Sequence, residues 1–524
     1  MRDDDTELLE RPLIPQPQRC ELRGGGRPLT EVISDIVEVR QAGLVPEGYR
    51  LAVHEGHATV HASDPRGFRY ARVTLNELAQ LHAGRVPDVS IDDAPVLARR
   101  GIIEGFYGEP WSHAERLSAL RLAGRLKLNS YVYAPKDDPF HRERWRESYP
   151  EEDLARLVEL AGEGAKHGVD VVVALHPAGS MVFADDAEHE LLAVKARQLL
   201  DAGIPDVALL FDDVPPTPVH DRDRERFGED GAALGAAHAL TVRRFREAVG
   251  SRLSGGELLV VPMDYAGTGA SDYRIAFAAG LPERVLVWWT GSDIVVGEIT
   301  RQDIDAAAEV FGDRLLLWDN FPVNDFDRGR AFLGPLSGRT ADVAGSALRG
   351  AWSNPMVEYA PGGFGIAAFA DWAWNPTGYV ASRSARAALR VVAGAQAEEL
   401  APLVRTLSSW PPSAPMDQSL TDTADGALES APHAAELRSR LEEWQALAGI
   451  DTAAEPARSL KPWLHAAVDM AAAGLAALDV HEVRPGATMA DAETALARAE
   501  AHKAKVGADA IPAFARSVLE RART

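Results

Sequence analysis

The sequence predicts an α/β fold whose centre is a (β/α)8 TIM barrel, with a small α+β domain before it and a helical domain after it. Three observations carry this reading. Eight short apolar runs alternate with helical patterns between residues 97 and 395. A hairpin pattern and one amphipathic stretch precede them. Beyond about residue 395 the Gly and β-branched content falls, and Ala, Leu, Glu and Arg take over.

Length and composition agree with several domains. At 524 residues the chain exceeds one ordinary domain, and 46% hydrophobic content supplies a large core. Lys and Arg total 55 against 78 Asp and Glu, a net charge of -23, which argues against phosphate backbones or anionic membranes as general partners. Cys20 is the only cysteine, so neither an intramolecular disulfide nor a cysteine-based metal site is expected. The start, Met1 to Glu7, is acidic and lacks the apolar stretch of a secretory signal. No run approaches the roughly 18 to 20 apolar residues that span a bilayer, so a soluble, cytoplasmic protein is expected.

In chain order, the first thirty or so residues are rich in Pro, Arg and Gly and read as an irregular lead-in. Tyr49 to Val53 and Ala58 to Ala62 alternate apolar with polar around Glu55-Gly56-His57, a hairpin signal. A helical stretch, Thr74 to Ala83, completes a domain over residues 1–96. The barrel strands are then expected at Gly101–Glu104, Ser130–Tyr133, Val169–Leu175, Val207–Phe211, Leu258–Val261, Val285–Trp289, Leu315–Trp318 and Leu348–Trp352. Ser112 followed by Glu115 is a capping box opening a helix to Lys127. The same alternation also permits a doubly wound open sheet. Residues 396–524 read as a helical bundle entered through a Pro-rich loop at Trp410 to Pro415, its apolar stripes serving packing.

In a barrel, functional groups gather at the carboxyl ends of the strands. The residues just after each run are Glu104 to Tyr107, Lys136-Asp137-Asp138, His176, Asp212-Asp213, Asp264-Tyr265, Thr290-Gly291, Asp319-Asn320 with Asn324-Asp325, and Ser353-Asn354. The pair Asp212-Asp213 ends a buried run, and Pro215 blocks its continuation. Adjacent carboxylates repel, so one tends to keep its proton while the other stays ionised, a pairing suited to glycosidic bond cleavage. Such pairs also occur in solvated turns and metal sites; the strand-end position favours chemistry.

These motifs resemble glycoside hydrolase family 84, the β-N-acetylglucosaminidases that include O-GlcNAc hydrolases and bacterial enzymes described as hyaluronidases. The resemblance rests on Arg100 to Trp111, Leu128 to Asp138, Leu210 to Asp213, Trp289-Thr290-Gly291, Trp318-Asp319-Asn320, Asn324-Asp325 and Ser353-Asn354-Pro355. Pro46 to Leu78 is similar to the small domain that precedes the barrel in hexosaminidases of this and a related family. Family twenty, the nearest enzymatic alternative, typically pairs Asp with Glu. A catalytically silent sugar-binding protein, and a helical domain that docks onto a protein or polymer, are the alternatives of other classes.

The resemblance implies retaining, exo-acting hydrolysis of terminal β-linked GlcNAc, on a glycan or a glycosylated protein, through an oxazoline formed by the sugar's own acetamido oxygen. It implies no metal or organic cofactor. By the same carry-over Asp212 polarises the acetamido N–H, and Asp213 protonates the leaving oxygen and later deprotonates water. Tyr265 bonds the acetamido oxygen, Asn320 supports that group and the first carboxylate, and Trp318 walls the acetyl pocket. Asp325 meets the 4- and 6-hydroxyls, Asn354 and Lys136 the 3-hydroxyl side, and the Gly105 carbonyl adds an acceptor. Plainer readings stand beside these: Lys136 pairing with Asp137 or Asp138, Trp318 as core, Asn354 serving a turn before Pro355, and His176 as a structural histidine.

Overall fold

The computed structural model describes residues 12–524; the acidic start read at Met1 to Glu7 lies outside the described residues. Two compact units make up the chain. One comprises residues up to 321, 337–357 and 366–384, and the other 322–336, 358–365 and 385–524.

The first unit opens with a small sheet. Its strands β1 (Arg19–Leu22), β3 (Val37–Arg40), β4 (Tyr49–His54), β5 (His57–Ala62) and β7 (Val89–Asp93) lie in the order β1-β7-β4-β5-β3, while β2 (Arg27–Pro28) and β6 (Arg85–Val86) form a separate two-stranded ladder. The lead-in read as irregular thus supplies an edge strand, β1, antiparallel to β7. The β4–β5 hairpin closes through Glu55 and Gly56, both at positive φ (50° and 91°), as the right-handed twist of the strands demands. The helix expected at Thr74 to Ala83 begins nine residues earlier, about two and a half turns. It spans Pro65–Leu81, with Asp64 as N-cap accepting the Gly67 N–H and Pro65 in the first turn, where its missing N–H costs nothing. Tyr70, Leu75 and Leu78 on its inner face share one core with Leu51, Val53, Val60 and Ile91.

Eight parallel strands follow: β8 (Arg99–Glu104), β9 (Ser130–Tyr133), β10 (Asp170–Leu175), β11 (Asp206–Leu210), β12 (Leu258–Val261), β13 (Val285–Trp289), β14 (Leu315–Asp319) and β15 (Leu348–Ser353). They close as a barrel in which β15 pairs with β8, which rules out the open sheet. Strands buried on both faces need apolar residues at consecutive positions, which is why most appeared as apolar runs, β15 with its exposed Arg349 being an exception. Inside, Ile103, Val132, Val172, Leu210, Val261, Trp288, Leu316 and Trp352 fill the lumen as packed core.

The small sheet docks at the amino ends of these strands through two buried ion pairs and a third, partly exposed one. Arg100 bonds Glu47 (2.7 Å), Lys127 bonds Asp93 (2.9 Å) and Arg66 bonds Asp170 (2.6 Å). The Trp374 indole completes this junction, edge-on to Tyr70, with its N–H donated to Asp93 Oδ1 at 2.8 Å. The small domain therefore braces the end of the barrel opposite the strand tips where chemistry is expected.

The second unit is helical, with Ala397–Thr406, Gln418–Ala427, Ala431–Ala446, Ala457–His481, Met489–Glu500 and Ala510–Arg523. Ala457–His481 is its central helix, burying Leu460, Trp463, Leu464, Met470 and Leu478. Although charged residues interrupt its apolar stretch, this helix is long and apolar enough, by length and composition, to cross a membrane. More than half of its apolar window is buried inside the protein. The segment 322–336 joins this unit: Trp463 Nε1 donates to the Gly329 carbonyl (2.8 Å), and Lys505 pairs with Asp327 (2.6 Å).

Candidate active site

Strand β11 delivers Asp212 and Asp213 to the carboxyl rim. Asp213 adopts a left-handed backbone, φ 56°, a conformation that costs a non-glycine residue on the order of 1 kcal/mol. Its neighbours must hold it there, and they do so through its side chain: Tyr107 donates to Oδ2 at 2.5 Å and Tyr265 to Oδ1 at 3.2 Å.

Asp212 sits in a different environment. It is buried, and its Oδ2 meets the Lys136 ammonium at 2.5 Å, while the same ammonium lies 3.4 Å from Asp213 Oδ2. Lys136 thus pairs with the catalytic candidates and with neither Asp137 nor Asp138. Asp138 is instead occupied by the hydroxyls of Tyr133 and Tyr149. Burial by itself would raise the Asp212 carboxyl, but the directly bonded Lys136 cation outweighs it and holds the group well below the usual carboxylate range. Burial likewise opposes the charge on Lys136, and the two aspartates overcome it, so the ammonium stays protonated beyond its ordinary range. Asp212 is therefore held ionised. Its second oxygen, Oδ1, is buried and has no hydrogen-bond partner.

Next to this pair a second cluster forms from β8, β14 and β15. The Asn320 carbonyl oxygen accepts from Trp318 Nε1 (3.0 Å) and Asn354 Nδ2 (2.8 Å), and its own NH2 donates to the Ile294 carbonyl (2.7 Å). Those bonds run to Trp318, Asn354 and Ile294 rather than to Asp212. Asn354 in turn accepts the Gly105 N–H at 3.3 Å. Gly105 is required by packing: a Cβ there would stand 2.3 Å from Trp318 Cζ2. The strand ends carrying these groups are fixed from beneath by a buried, two-pronged ion pair, Arg339 to Asp319, with both contacts at 2.8 Å. Asp319 also offers its carbonyl to the Asn354 N–H at 2.7 Å.

Of the residues singled out in the sequence, Asp212, Asp213, Lys136 and Tyr265 meet directly, and Gly105, Trp318, Asn320 and Asn354 form the adjoining cluster. Asp325 belongs to the second compact unit, in the loop 322–336 whose Asn324 donates to the Arg330 carbonyl and to Glu358. Three residues were missed as site components. Tyr107 stood among the rim residues without a role. Arg142, whose guanidinium lies 6.0 Å from the Tyr107 ring centre, carried no signal beyond its place in the loop after β9. His176, read as structural, touches Asp212: Nε2 is 2.7 Å from the Asp212 carbonyl oxygen. Its place directly after β10, the neighbour of β11, was the available clue.

Among the described residues no cluster of three or more His, Cys, Asp or Glu is arranged to hold a metal ion. What converges is a carboxylate with one free buried oxygen, a second carboxylate within reach of solvent (29% side-chain exposure), a cation between them, and a wall of aromatic and amide groups.

A β-N-acetylglucosaminidase family model matches residues 100–405, more than half of the chain. The chain belongs to the β-N-acetylglucosaminidase family, glycoside hydrolase family 84. Within this family it is 30% identical over 278 residues to the protein O-GlcNAcases of Rattus norvegicus and Mus musculus; the match takes in 52% of this chain and 29% of theirs. The chain therefore spans less than a third of the length of those curated relatives. An O-GlcNAc hydrolase of Thermobaculum terrenum, solved as a point mutant, superimposes with a TM-score of 0.74 at 25% identity, over 81% of this chain and 95% of that one. The fold of CpGH84B matches over 97% of this chain and 100% of that one, with a TM-score of 0.86 at 23% identity. Residues 28–94 match the second domain of glycosyl hydrolase family 20, in agreement with the small domain expected from Pro46 to Leu78.

Proposed function

We propose that this protein is an exo-acting β-N-acetylglucosaminidase that removes terminal β-linked GlcNAc with retention, through substrate-assisted catalysis. The observation that carries the proposal is the asymmetry of Asp212. One oxygen is neutralised by Lys136, while the other is buried, ionised and without a partner. An unpartnered buried acceptor is costly, on the order of 1–3 kcal/mol, and an incoming N–H relieves that cost. A 2-acetamido group supplies such an N–H.

With its N–H accepted by Asp212 Oδ1, the acetamido oxygen gains electron density and attacks the anomeric carbon as the bond to the leaving oxygen breaks. Asp213 gives its proton to that oxygen. The charge building on the oxazoline is offset by the fixed Asp212 carboxylate. Asp213, now a base, takes a proton from the water that opens the ring and returns to its starting state. Tyr265, freed from Asp213 when substrate enters, turns its hydroxyl to the acetamido oxygen. Adjacent carboxylates on one strand tip cannot straddle a sugar ring as nucleophile and acid, and a nucleophile carried by the substrate removes that demand.

The aglycone is a glycan or a glycosylated Ser/Thr of a protein, in line with the O-GlcNAcases that the chain resembles. Hydrolysis of aryl and alkyl β-N-acetylglucosaminides by wild type, Asp212→Asn and Asp213→Asn tests the proposal. Asp212→Asn is expected to lose about 10²- to 10³-fold on every substrate. Asp213→Asn is expected to lose about 10²- to 10⁴-fold on alkyl glycosides and far less on aryl glycosides with good leaving groups. Equal losses by Asp213→Asn on both substrate types would refute its assignment as the acid.

A further inference from the structure

His176 is the first residue after β10, and β10 is the parallel neighbour of β11, so its ring crosses one strand spacing to reach Asp212. It is 2% exposed. Nε2 lies 2.7 Å from the Asp212 carbonyl oxygen and 3.5 Å from Oδ1, the oxygen left without a hydrogen-bond partner. A carbonyl oxygen only accepts, so Nε2 carries the hydrogen and the tautomer follows from the contact.

The imidazole is braced in turn. Its main-chain N–H donates to the His141 carbonyl at 2.9 Å, and its ring meets the His141 ring edge-on with centres 6.1 Å apart. His141 Nδ1 bonds the Ala174 carbonyl at 2.8 Å. Burial lowers the pKa of both rings, so both are neutral near neutral pH and the one formal cation on Asp212 is Lys136. A neutral ring that anchors the main chain of a catalytic carboxylate, without quenching the carboxylate itself, controls direction rather than charge.

We propose that His176 is a positioning residue: its Nε2–H pins the Asp212 main chain and thereby aims Oδ1 at the 2-acetamido N–H of the substrate. The inference rests on the substrate-assisted reading above and adds to it a residue that never touches the sugar. An aim that drifts by about 1 Å costs on the order of 100-fold in rate.

The test compares wild type, His176→Leu, His176→Gln and Asp212→Asn on aryl glycosides carrying N-acetyl, N-fluoroacetyl or N-difluoroacetyl groups. Fluorine weakens the acetamido oxygen as a nucleophile, so the fall in kcat/KM along this series reports how the amide is polarised. His176→Leu is expected to lose about 10- to 100-fold in kcat on the N-acetyl substrate, with a fall-off along the series shifted toward that of Asp212→Asn. His176→Gln, which restores an N–H near the position of Nε2, is expected to recover most of the rate and the wild-type fall-off. Proportional losses on all three substrates, or a Gln variant no better than Leu, would overturn the inference. Should His176→Leu fail to fold, His176→Asn, whose amide is too short to reach, takes its place against His176→Gln. A wild type that hydrolyses none of the substrates would instead refute the catalytic reading itself, and this inference with it.

Discussion

Lys136 Nζ and Asp212 Oδ2 stand 2.5 Å apart in a nearly solvent-free setting, with side-chain exposures of 4% and 7%. Removing one partner of a buried pair strands the other charge, so Lys136→Met is expected to destabilise the protein by about 3–5 kcal/mol and to cripple turnover. The pH dependence follows from the two shifts. The folded Asp212 carboxyl is depressed, so its stabilising contribution is present above the unfolded value of about 3.9 and is lost as pH falls through the folded one. The folded Lys136 ammonium is raised, so its contribution is present below about 10.4 and is lost as pH rises through the folded value. Denaturation midpoints of wild type and variant should differ by a constant amount between about pH 5 and 9, and converge in acid.

Tyr107 is 47% exposed, and its hydroxyl is one of two that hold Asp213, so removing it should cost little stability. Tyr107→Phe is expected to lower the melting temperature slightly while losing about 3- to 10-fold in kcat/KM, in the range of one modest hydrogen bond. The loss should concentrate on substrates with poor leaving groups, where Asp213 must act as the acid. Steady-state kinetics on paired aryl and alkyl substrates checks it.

Gly105→Ala places a methyl group against the Trp318 ring at 2.3 Å, a distance the site cannot absorb without moving the indole or the β8 tip. Overpacking of this kind costs typically about 1–3 kcal/mol. Because Trp318 is bonded to Asn320 and Asn320 to Asn354, the displacement should also reach the cluster proposed to bind the sugar. Expected outcomes are a lower melting temperature and a rise in KM, measured on the same preparation.

Glu47 provides the contrast at the far end of the barrel. It accepts from Arg100 (2.7 Å) and from Asn129 (3.0 Å) beneath the strands. Glu47→Gln is expected to cost about 3–5 kcal/mol of stability, yet to leave kcat and KM unchanged at temperatures where the variant is folded.

The barrel was legible in the sequence because its strands are buried on both faces and write themselves as apolar runs, each recovered to within two residues. The polar residues following each run were legible as rim groups for the same reason. Less visible was anything that depends on one strand tip meeting another. His176 looks structural until β10 and β11 are laid side by side, and Arg142 gains meaning only when the loop after β9 folds toward Tyr107. The edge strand Arg19–Leu22 hid in a Pro- and Gly-rich stretch because its pairing with Val89–Asp93 is long-range. The early start of the helix Pro65–Leu81 was missed although Asp64-Pro65 is a sound N-cap signal. The apolar character of Ala457–His481 is spread over 25 residues and broken by charges such as Lys461 and Asp469, so no single run announced it.

In the proposed reaction the sugar's acetamido group is the nucleophile and Asp212 receives its N–H. The most direct measurement is the affinity of wild type and Asp212→Asn for a GlcNAc-derived thiazoline that mimics the oxazoline, set against free GlcNAc. Wild type is expected to bind the mimic at least about 100-fold more tightly than GlcNAc, and Asp212→Asn to lose most of that preference. A wild type that binds the mimic no better than the free sugar would contradict the proposed reaction.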